Sequence, residues 1–145
     1  MTPEQTFRRL LELLLAKDMD GIADLWAGDG TAEFPFAEGG WPKRLTGREA
    51  VRGYLSGYPD RMDVRDIPAV TVHHTERPDT VVVEFTASGR TVRTGRPYRL
   101  DYIAVITTRD GLITAYRDYW NPLAAASAAG ALPELLAALS PEVTA

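Results

Sequence analysis

The sequence predicts an α+β domain: a cone-shaped α+β barrel in which a curved, mostly antiparallel sheet carries helices on its concave face. Three observations support this class. Apolar residues recur at helical spacing in two segments before about residue 60, strand-like segments follow between about residues 66 and 121, and short turn signals separate those strands. Helices followed by consecutive antiparallel strands are typical of α+β folds.

Composition and charge limit the classes of function. The chain has 145 residues, a formal net charge of −4 and no cysteine. The charge argues against a nucleic-acid partner, which requires an excess of Lys and Arg, and the lack of cysteine excludes disulfides and thiolate metal sites. The N-terminus lacks the pattern of a signal peptide, and no segment approaches the roughly 20 apolar residues of a membrane helix. We therefore expect a cytoplasmic protein with no membrane partner.

The first helix is predicted from its capping signals. Thr2 is a suitable N-cap, Pro3 fits the first turn and Gln5 completes a capping box. One apolar face then recurs at helical spacing, formed by Phe7, Leu10, Leu11 and Leu14.

A second, short helix is predicted after Asp18 or Asp20, either of which can act as its N-cap. The sequence AGDG should end this helix, and its inward residues are Ile22, Leu25 and Trp26. The segment TAEFPFA that follows is predicted to be a short strand at an edge or a strand end, because it contains a proline. EGGWPKRL has the composition of a loop.

A third helix is predicted from Thr46 to about Tyr58. The sequence Thr46-Gly47-Arg48-Glu49 has the pattern of a capping box. Its inward residues are Val51, Tyr54 or Leu55, Tyr58 and Met62.

Four strands are predicted at roughly 66–75, 79–93, 97–108 and 112–121, separated by the turn signals ERPD, TGR and RDG. We assign residues 1–123 to a single domain. Residues 124–145 form an alanine-rich tail, broken by glycine and proline, for which short helices and partial disorder are both consistent with the composition.

The last hairpin predicts which side chains share a face. Arg109-Asp110-Gly111 suits a three-residue loop, which would place Tyr102 opposite Asp118, Ala104 opposite Tyr116 and Leu100 opposite Trp120. The face that meets the helices then contains a single acid among apolar and aromatic groups. The opposite face mixes charged residues with Ile, Val and Tyr, and we expect a homodimer to form through it.

Asp118 is the candidate catalytic residue. A carboxylate removed from water has a raised pKa and can both take and return a proton near neutral pH. Tyr102 is the candidate hydrogen-bond donor, either to this carboxyl or to a developing oxyanion. The structural alternative is that Asp118 is paired with an arginine or with backbone N–H groups, although no arginine shares its face of the hairpin.

Three segments carry a resemblance to a known family: FPFA before the third helix, TGREAVRGYL within it and DGLITAYRDYWNPL at the last strand. Over residues of about 4–123 they resemble the SnoaL-like polyketide cyclases of the nuclear-transport-factor-2-like superfamily, with limonene epoxide hydrolase and ketosteroid isomerase as cousins. The resemblance implies a cone-shaped fold with the ligand inside, no cofactor, and an aspartate in the sequence RD, here Asp118.

The resemblance does not extend to the residues that assist this acid. The assisting histidine of the cyclases falls on Ala104, and the partner arginine and second aspartate of the epoxide hydrolase fall on Phe85 and Ala87. The base of ketosteroid isomerase falls on Phe34, its oxyanion acid on Ala104 and its helix tyrosine on about Leu10. Of these functional groups, the resemblance leaves only the acid that the cyclases and the epoxide hydrolase have at the position of Asp118.

The candidate ligand-contacting residues are the large side chains expected to line the cone. They are Tyr116, Trp120, Leu100, Phe36, Trp41, Tyr54, Tyr58, Met62, Phe85 and Leu14. No metal site is predicted, because His73 and His74 are adjacent on a strand and lack a spaced carboxylate partner. Arg90, Arg93, Arg96 and Arg99 suit either attraction of an acidic substrate to the cone mouth or protection of a hairpin edge.

Three functions are consistent with these residues. The first is a cofactor-free acid–base enzyme that acts on a hydrophobic carbonyl or polycyclic compound by cyclisation, isomerisation or dehydration. The second is a non-catalytic protein of the same fold that binds a small molecule or serves in assembly. The third is an epoxide hydrolase.

Overall fold

Six strands and five helices form the part of the chain that the structure describes. The computed structural model describes residues 1–140, so the end of the alanine-rich tail lies outside the described residues. The helices are α1 (Pro3–Leu15), α2 (Met19–Ala23), α3 (Arg48–Ser56), α4 (Pro122–Ala128) and α5 (Leu132–Leu139), with a 3₁₀ turn at Tyr58–Asp60. The strands are β1 (Trp26–Glu33), β2 (Arg44–Thr46), β3 (Met62–His74), β4 (Thr80–Thr91), β5 (Pro97–Arg109) and β6 (Leu112–Trp120).

The strands form one curved, open sheet in the order β2-β1-β6-β5-β4-β3. Every pair is antiparallel except β1 with β6. Helices α1 and α3 pack against this sheet, and the combination of helices with a mostly antiparallel sheet confirms the predicted α+β class. No helix among residues 1–140 is both long and apolar enough to cross a membrane.

The concave face holds the main core, which α1 helps to form. The Thr2 hydroxyl accepts a hydrogen bond from the Gln5 N–H, and the Gln5 side chain accepts one from the Thr2 N–H, as predicted. This capping box fixes the start of the helix. The Phe7 ring is fully buried and lies 5.2 Å from the Phe85 ring on β4, measured between centroids.

The sheet bends at β3, where the β3–β4 register shifts twice, between Val64 and Asp66 and between Asp66 and Ala69. Bulges increase local twist and bend a strand. Gly89 of β4 is needed at this bend, because a Cβ there would lie 1.9 Å from the Asp63 carbonyl oxygen. The close approach of the two backbones thus contributes to the cone shape.

The last hairpin differs from the predicted register. Asp110 and Gly111 both have positive φ, 53° and 78°, as a two-residue type I′ turn requires. The register then shifts between Thr107 and Thr108, where β6 contains one extra residue. The predicted three-residue loop was wrong, because this bulge after a two-residue turn restores the same alternation of faces. Tyr102 therefore pairs with Trp120 and not with Asp118.

The region before β1 was also predicted incorrectly. Trp26 begins β1 and does not belong to α2, and the AGDG sequence lies within the strand. Trp26 is nevertheless buried, at 4% exposure. The proposed N-cap of α2, Asp18, is correct, since its carboxylate accepts a hydrogen bond from the Gly21 N–H. β1 ends at Glu33, two residues before Pro35.

The third helix begins later and ends earlier than predicted. Its N-cap is Gly47, with φ 94°, and no side chain caps it. Thr46 belongs instead to β2, a short strand within the segment that was predicted to be a loop. Tyr58 lies in the 3₁₀ turn after α3, and Met62 begins β3 instead of extending the helical face.

Replacing Gly89 with alanine should lower the free energy of unfolding by about 1–3 kcal/mol, because the new methyl group would overlap the Asp63 carbonyl. Gly53→Ala is the matched change, since a Cβ at this helical position meets no atom within 4 Å. It should stabilise the protein by about 0.5–1 kcal/mol. Urea unfolding followed by circular dichroism measures both, and equal stability of the two variants would contradict the close approach.

Candidate functional site

Asp118 lies on the concave face of β6, between Tyr116 and Trp120 on the same face. Its cross-strand partner on β5 is Ala104, which is fully buried. Because the alanine side chain is small, it leaves the neighbourhood of the carboxyl to side chains from other elements. The sequence thus predicted the correct face for Asp118 but the wrong partner.

The buried oxygen of the Asp118 carboxyl group has no compensating partner among residues 1–140. Although the residue as a whole retains partial exposure, its Oδ1 atom is inaccessible and makes no hydrogen bond within this part of the chain. Burial raises the pKa of Asp118 from 3.8 to about 7, and no neighbouring cation opposes the shift. Within the described residues, no arginine pairs with Asp118, so the alternative of an arginine-paired, structural aspartate does not apply. Near neutral pH this group can exist in either protonation state.

Four phenols surround this carboxyl: Tyr54, Tyr58, Tyr102 and Tyr116. Burial raises the pKa of each, and the negative charge of Asp118 adds to the shift in all four. The phenols therefore remain protonated around neutral pH and act as O–H donors. A single acid among neutral donors is an arrangement that can bind a carbonyl oxygen and move a nearby proton.

Aromatic contacts build the walls around these groups. The Tyr102 ring stacks on Phe85 at 5.0 Å between centroids, and the Tyr116 ring lies 5.5 Å from Trp26. Tyr54 of α3 lies 5.2 Å from Phe34. At the end of β6, Trp41 meets Trp120 edge to face at 4.9 Å. These contacts orient the phenols by packing.

The remaining predicted ligand-contacting residues differ in how far they are buried and in the face on which they lie. Leu100 is buried on the concave side of β5, and Leu14 packs against the core. Phe36 must be corrected, because it lies beyond β1, is 55% exposed and contacts Tyr119, which points away from the concave face. Met62 is half-buried at the start of β3.

Sequence reasoning missed Tyr98 and Arg61. Tyr98 shares the concave face with Leu100 and Tyr102, so extending the same alternation by one step would have identified it. The Arg61 guanidinium carbon lies 5.7 Å from the centroid of the Tyr54 ring. No sequence signal indicated that contact, because it depends on the 3₁₀ turn that ends at Asp60.

A concavity of about 630 Å³ is lined mainly by residues of the convex face of the sheet, and Asp118 is not among its lining residues. Its lining includes Phe36, Thr71, Glu84, Ile103 and Tyr119. Among residues 1–140 no three His, Asp or Glu side chains are grouped as metal ligands would be. His73 and His74 contact Glu84 and Glu4, at 2.6 and 3.2 Å.

In a comparison with known families, the model of the SnoaL-like domain matches residues 7–116. The match covers most of the chain and ends two residues before Asp118. It confirms the resemblance that the sequence motifs indicated.

Individual relatives are similar to the chain over most of its length. The chain is 42% identical to the uncharacterized protein YesE of Bacillus subtilis, over 87% of this chain and 86% of that protein. It is 37% identical to an uncharacterized PhzA/B-like protein of Pseudomonas aeruginosa, over 85% and 86%. A crystal structure named "Putative Isomerase from Bacillus subtilis" shares 41% identity with a TM-score of 0.86, covering 89% of this chain and 93% of that one.

Asp118→Asn should stabilise the protein at alkaline pH. Between about pH 4 and pH 7 the unfolded chain releases the Asp118 proton while the folded protein retains it, so the free energy of unfolding of the wild type falls as pH rises. The advantage of the asparagine variant should grow by on the order of 3 kcal/mol between about pH 4.5 and pH 8. Urea unfolding at the two pH values measures it.

Asp110→Asn provides the control for this experiment. It makes the same chemical change in the exposed turn of the same hairpin, where asparagine also tolerates positive φ. It therefore reports what the change from carboxylate to amide does to stability at an exposed position. Parallel pH curves for Asp118→Asn and the wild type would show that Asp118 is not withdrawn from water.

Proposed function

The chain belongs to the SnoaL-like domain family, and on that premise we propose that it is a cofactor-free acid–base enzyme acting on a hydrophobic carbonyl or polycyclic compound. The reaction is a proton transfer of the cyclase, isomerase or dehydratase type. The observation that carries this proposal is the unpartnered Asp118 carboxyl, with a pKa of about 7, among neutral phenols.

The proposed reaction uses Asp118 in both protonation states. The carboxylate removes a proton alpha to the substrate carbonyl, and the resulting carboxylic acid returns it at another position or helps a leaving group depart. Tyr102 donates a hydrogen bond to the oxygen on which negative charge develops. Its raised pKa supports this role, because a neutral phenol retains the proton that it donates.

A second candidate function is ligand binding or assembly without catalysis. Phe85 and Ala87, which occupy the positions of the epoxide hydrolase partner residues, are both buried apolar side chains, and so is Ala104. This observation favours a binding protein over the third candidate, an epoxide hydrolase, which would need polar partners to activate water. The two leading candidates differ in whether Asp118 transfers a proton.

The enzymatic proposal is tested by hydrogen–deuterium exchange of 2-tetralone, a bicyclic ketone with acidic alpha protons, followed by NMR in D₂O. The wild type should accelerate exchange, with kcat/KM rising with pH through about 7 as Asp118 ionises. Asp118→Asn should lower kcat/KM by about 10²–10⁴-fold, the usual contribution of a general base.

Asp110→Asn should exchange at the wild-type rate, which controls for the change from carboxylate to amide. Retention of full exchange activity by Asp118→Asn would exclude the proton-transfer role. If only the binding function exists, the wild type should not accelerate exchange although the ketone binds.

We also propose that the protein is a homodimer through the convex face of the sheet. Ile103 is 43% exposed and Phe36 is 55% exposed on this side, where a monomer would leave them in water. The concavity between them offers a surface that a second copy could fill. Exposed apolar patches of this kind are typical of interaction sites.

Ile103→Arg should separate the dimer. Light scattering should give about twice the chain mass of 15.9 kDa for the wild type and the monomer mass for this variant, because burying the charge of an arginine in an apolar contact opposes association. Leu136→Arg changes an equally exposed leucine on α5 and should remain dimeric. A monomeric wild type at micromolar concentration would contradict the proposal.

A further inference from the structure

Three phenols and one guanidinium are grouped near the 3₁₀ turn and the start of β5. We call this group, Tyr54, Tyr58, Tyr98 and Arg61, the donor corner. Tyr98 is 7% exposed, and its hydroxyl is fully buried without a hydrogen-bond partner in the described part of the chain. Burial is the main cause of the raised pKa of Tyr58, and Tyr98, Asp118 and Tyr54 add to it, so these groups lie within electrostatic range of Tyr58.

Arg61 supplies the positive charge of the donor corner. Its backbone N–H donates to the Tyr58 carbonyl, and its guanidinium carbon lies 5.7 Å from the centre of the Tyr54 ring. Burial raises the pKa of Tyr54 and Tyr58, and the charge of Arg61 opposes part of that shift. Arg61 therefore lies near enough to act on a ligand held by these phenols.

Arg61 forms no salt bridge with an acid in the described part of the chain. Among residues 1–140 no carboxylate lies within salt-bridge distance of Arg61, whereas Arg52 contacts Asp20, Asp24 and Glu49. The nearby acid Asp63 is held by Lys17 at 2.7 Å and by Arg65 at 2.9 Å. The donor corner itself thus contains one cation and three O–H donors, and the acids whose charge acts on its phenols, Asp118 and Asp63, lie outside it.

The chemical complement of such a group is an anion with several acceptor atoms. A carboxylate offers two oxygens, each of which can accept more than one hydrogen bond, and a guanidinium matches its planar geometry. We propose that the donor corner binds a carboxylate of the substrate, so that the substrate is a hydrophobic carbonyl compound that also carries an acidic group. This inference rests on the proposed function for the carbonyl end and on the donor corner alone for the acidic end.

Two probes with the same bicyclic skeleton test the inference: 2-naphthoate, which carries a carboxylate, and 2-acetylnaphthalene, a neutral ketone. Isothermal titration at about pH 6 keeps Asp118 mainly protonated while the probe carboxylate is ionised. The wild type should bind 2-naphthoate at least tenfold more tightly. Arg61→Met retains an unbranched side chain over Tyr54 without the charge, and it should remove this preference while binding the ketone unchanged.

Arg65→Met is the matched control, because Arg65 lies close in sequence but is already paired with Asp63. It should retain the preference for 2-naphthoate. Tyr98→Phe should weaken the binding of 2-naphthoate about three- to tenfold, because one hydrogen bond is lost. Equal binding of the two probes by the wild type, binding of neither, or a preference that survives in Arg61→Met would overturn the inference.

Asp118→Asn separates this inference from the proposed function. The variant should keep the preference for 2-naphthoate, since it retains the donor corner, while losing exchange of 2-tetralone. If it retains exchange, the proposed reaction is wrong, and the inference about the donor corner is then decided by the preference for 2-naphthoate alone. If Asp118→Asn loses exchange but the wild type does not prefer 2-naphthoate, the proposed reaction is supported and the inference of an acidic group on the substrate is wrong.

Discussion

The withdrawal of the Asp118 carboxyl from water without a counter-charge is the constraint on which the rest of the interior depends. A rise in pKa from 3.8 to about 7 corresponds to on the order of 4 kcal/mol when the group is ionised. Whole domains have unfolding free energies of about 5–15 kcal/mol. An isolated acid of this kind therefore opposes folding at neutral and alkaline pH, and the surrounding sheet must hold it in place.

The sheet holds the carboxyl through strand alternation and local irregularities. Alternation places Tyr116, Asp118 and Trp120 on one face, and burial of Tyr116 against Trp26 prevents a one-residue slip that would turn the acid outward. The bend at β3, made possible by Gly89, curves the sheet toward α1 and α3. The phenols of α3 and the 3₁₀ turn can then approach an acid on β6.

Local signals predicted most of the fold because they depend on neighbouring residues alone. The α1 capping box and the concave-face assignment of Asp118 were correct. The hairpin register was not, because a two-residue turn followed by a bulge gives the same alternation as a three-residue loop. The donor corner could not be predicted either, since Arg61 meets Tyr54 through the 3₁₀ turn, and its contact is tertiary. The prediction that Phe36 lines the cone was wrong, because β1 ends at Glu33 and Phe36 therefore lies outside the alternation of the strand.

The phenols and the acid cannot exchange roles. A phenol whose pKa is raised donates a hydrogen bond but does not release its proton near neutral pH, so Tyr102 and Tyr58 can stabilise an oxyanion without acting as bases. His73 and His74 contact Glu84 and Glu4 at exposed positions. Among the described residues that line the concave face, Asp118 is therefore the group whose pKa, about 7, suits proton transfer near neutral pH. A chain that lacks the partner residues of its relatives can still divide the chemistry between one acid and several neutral donors.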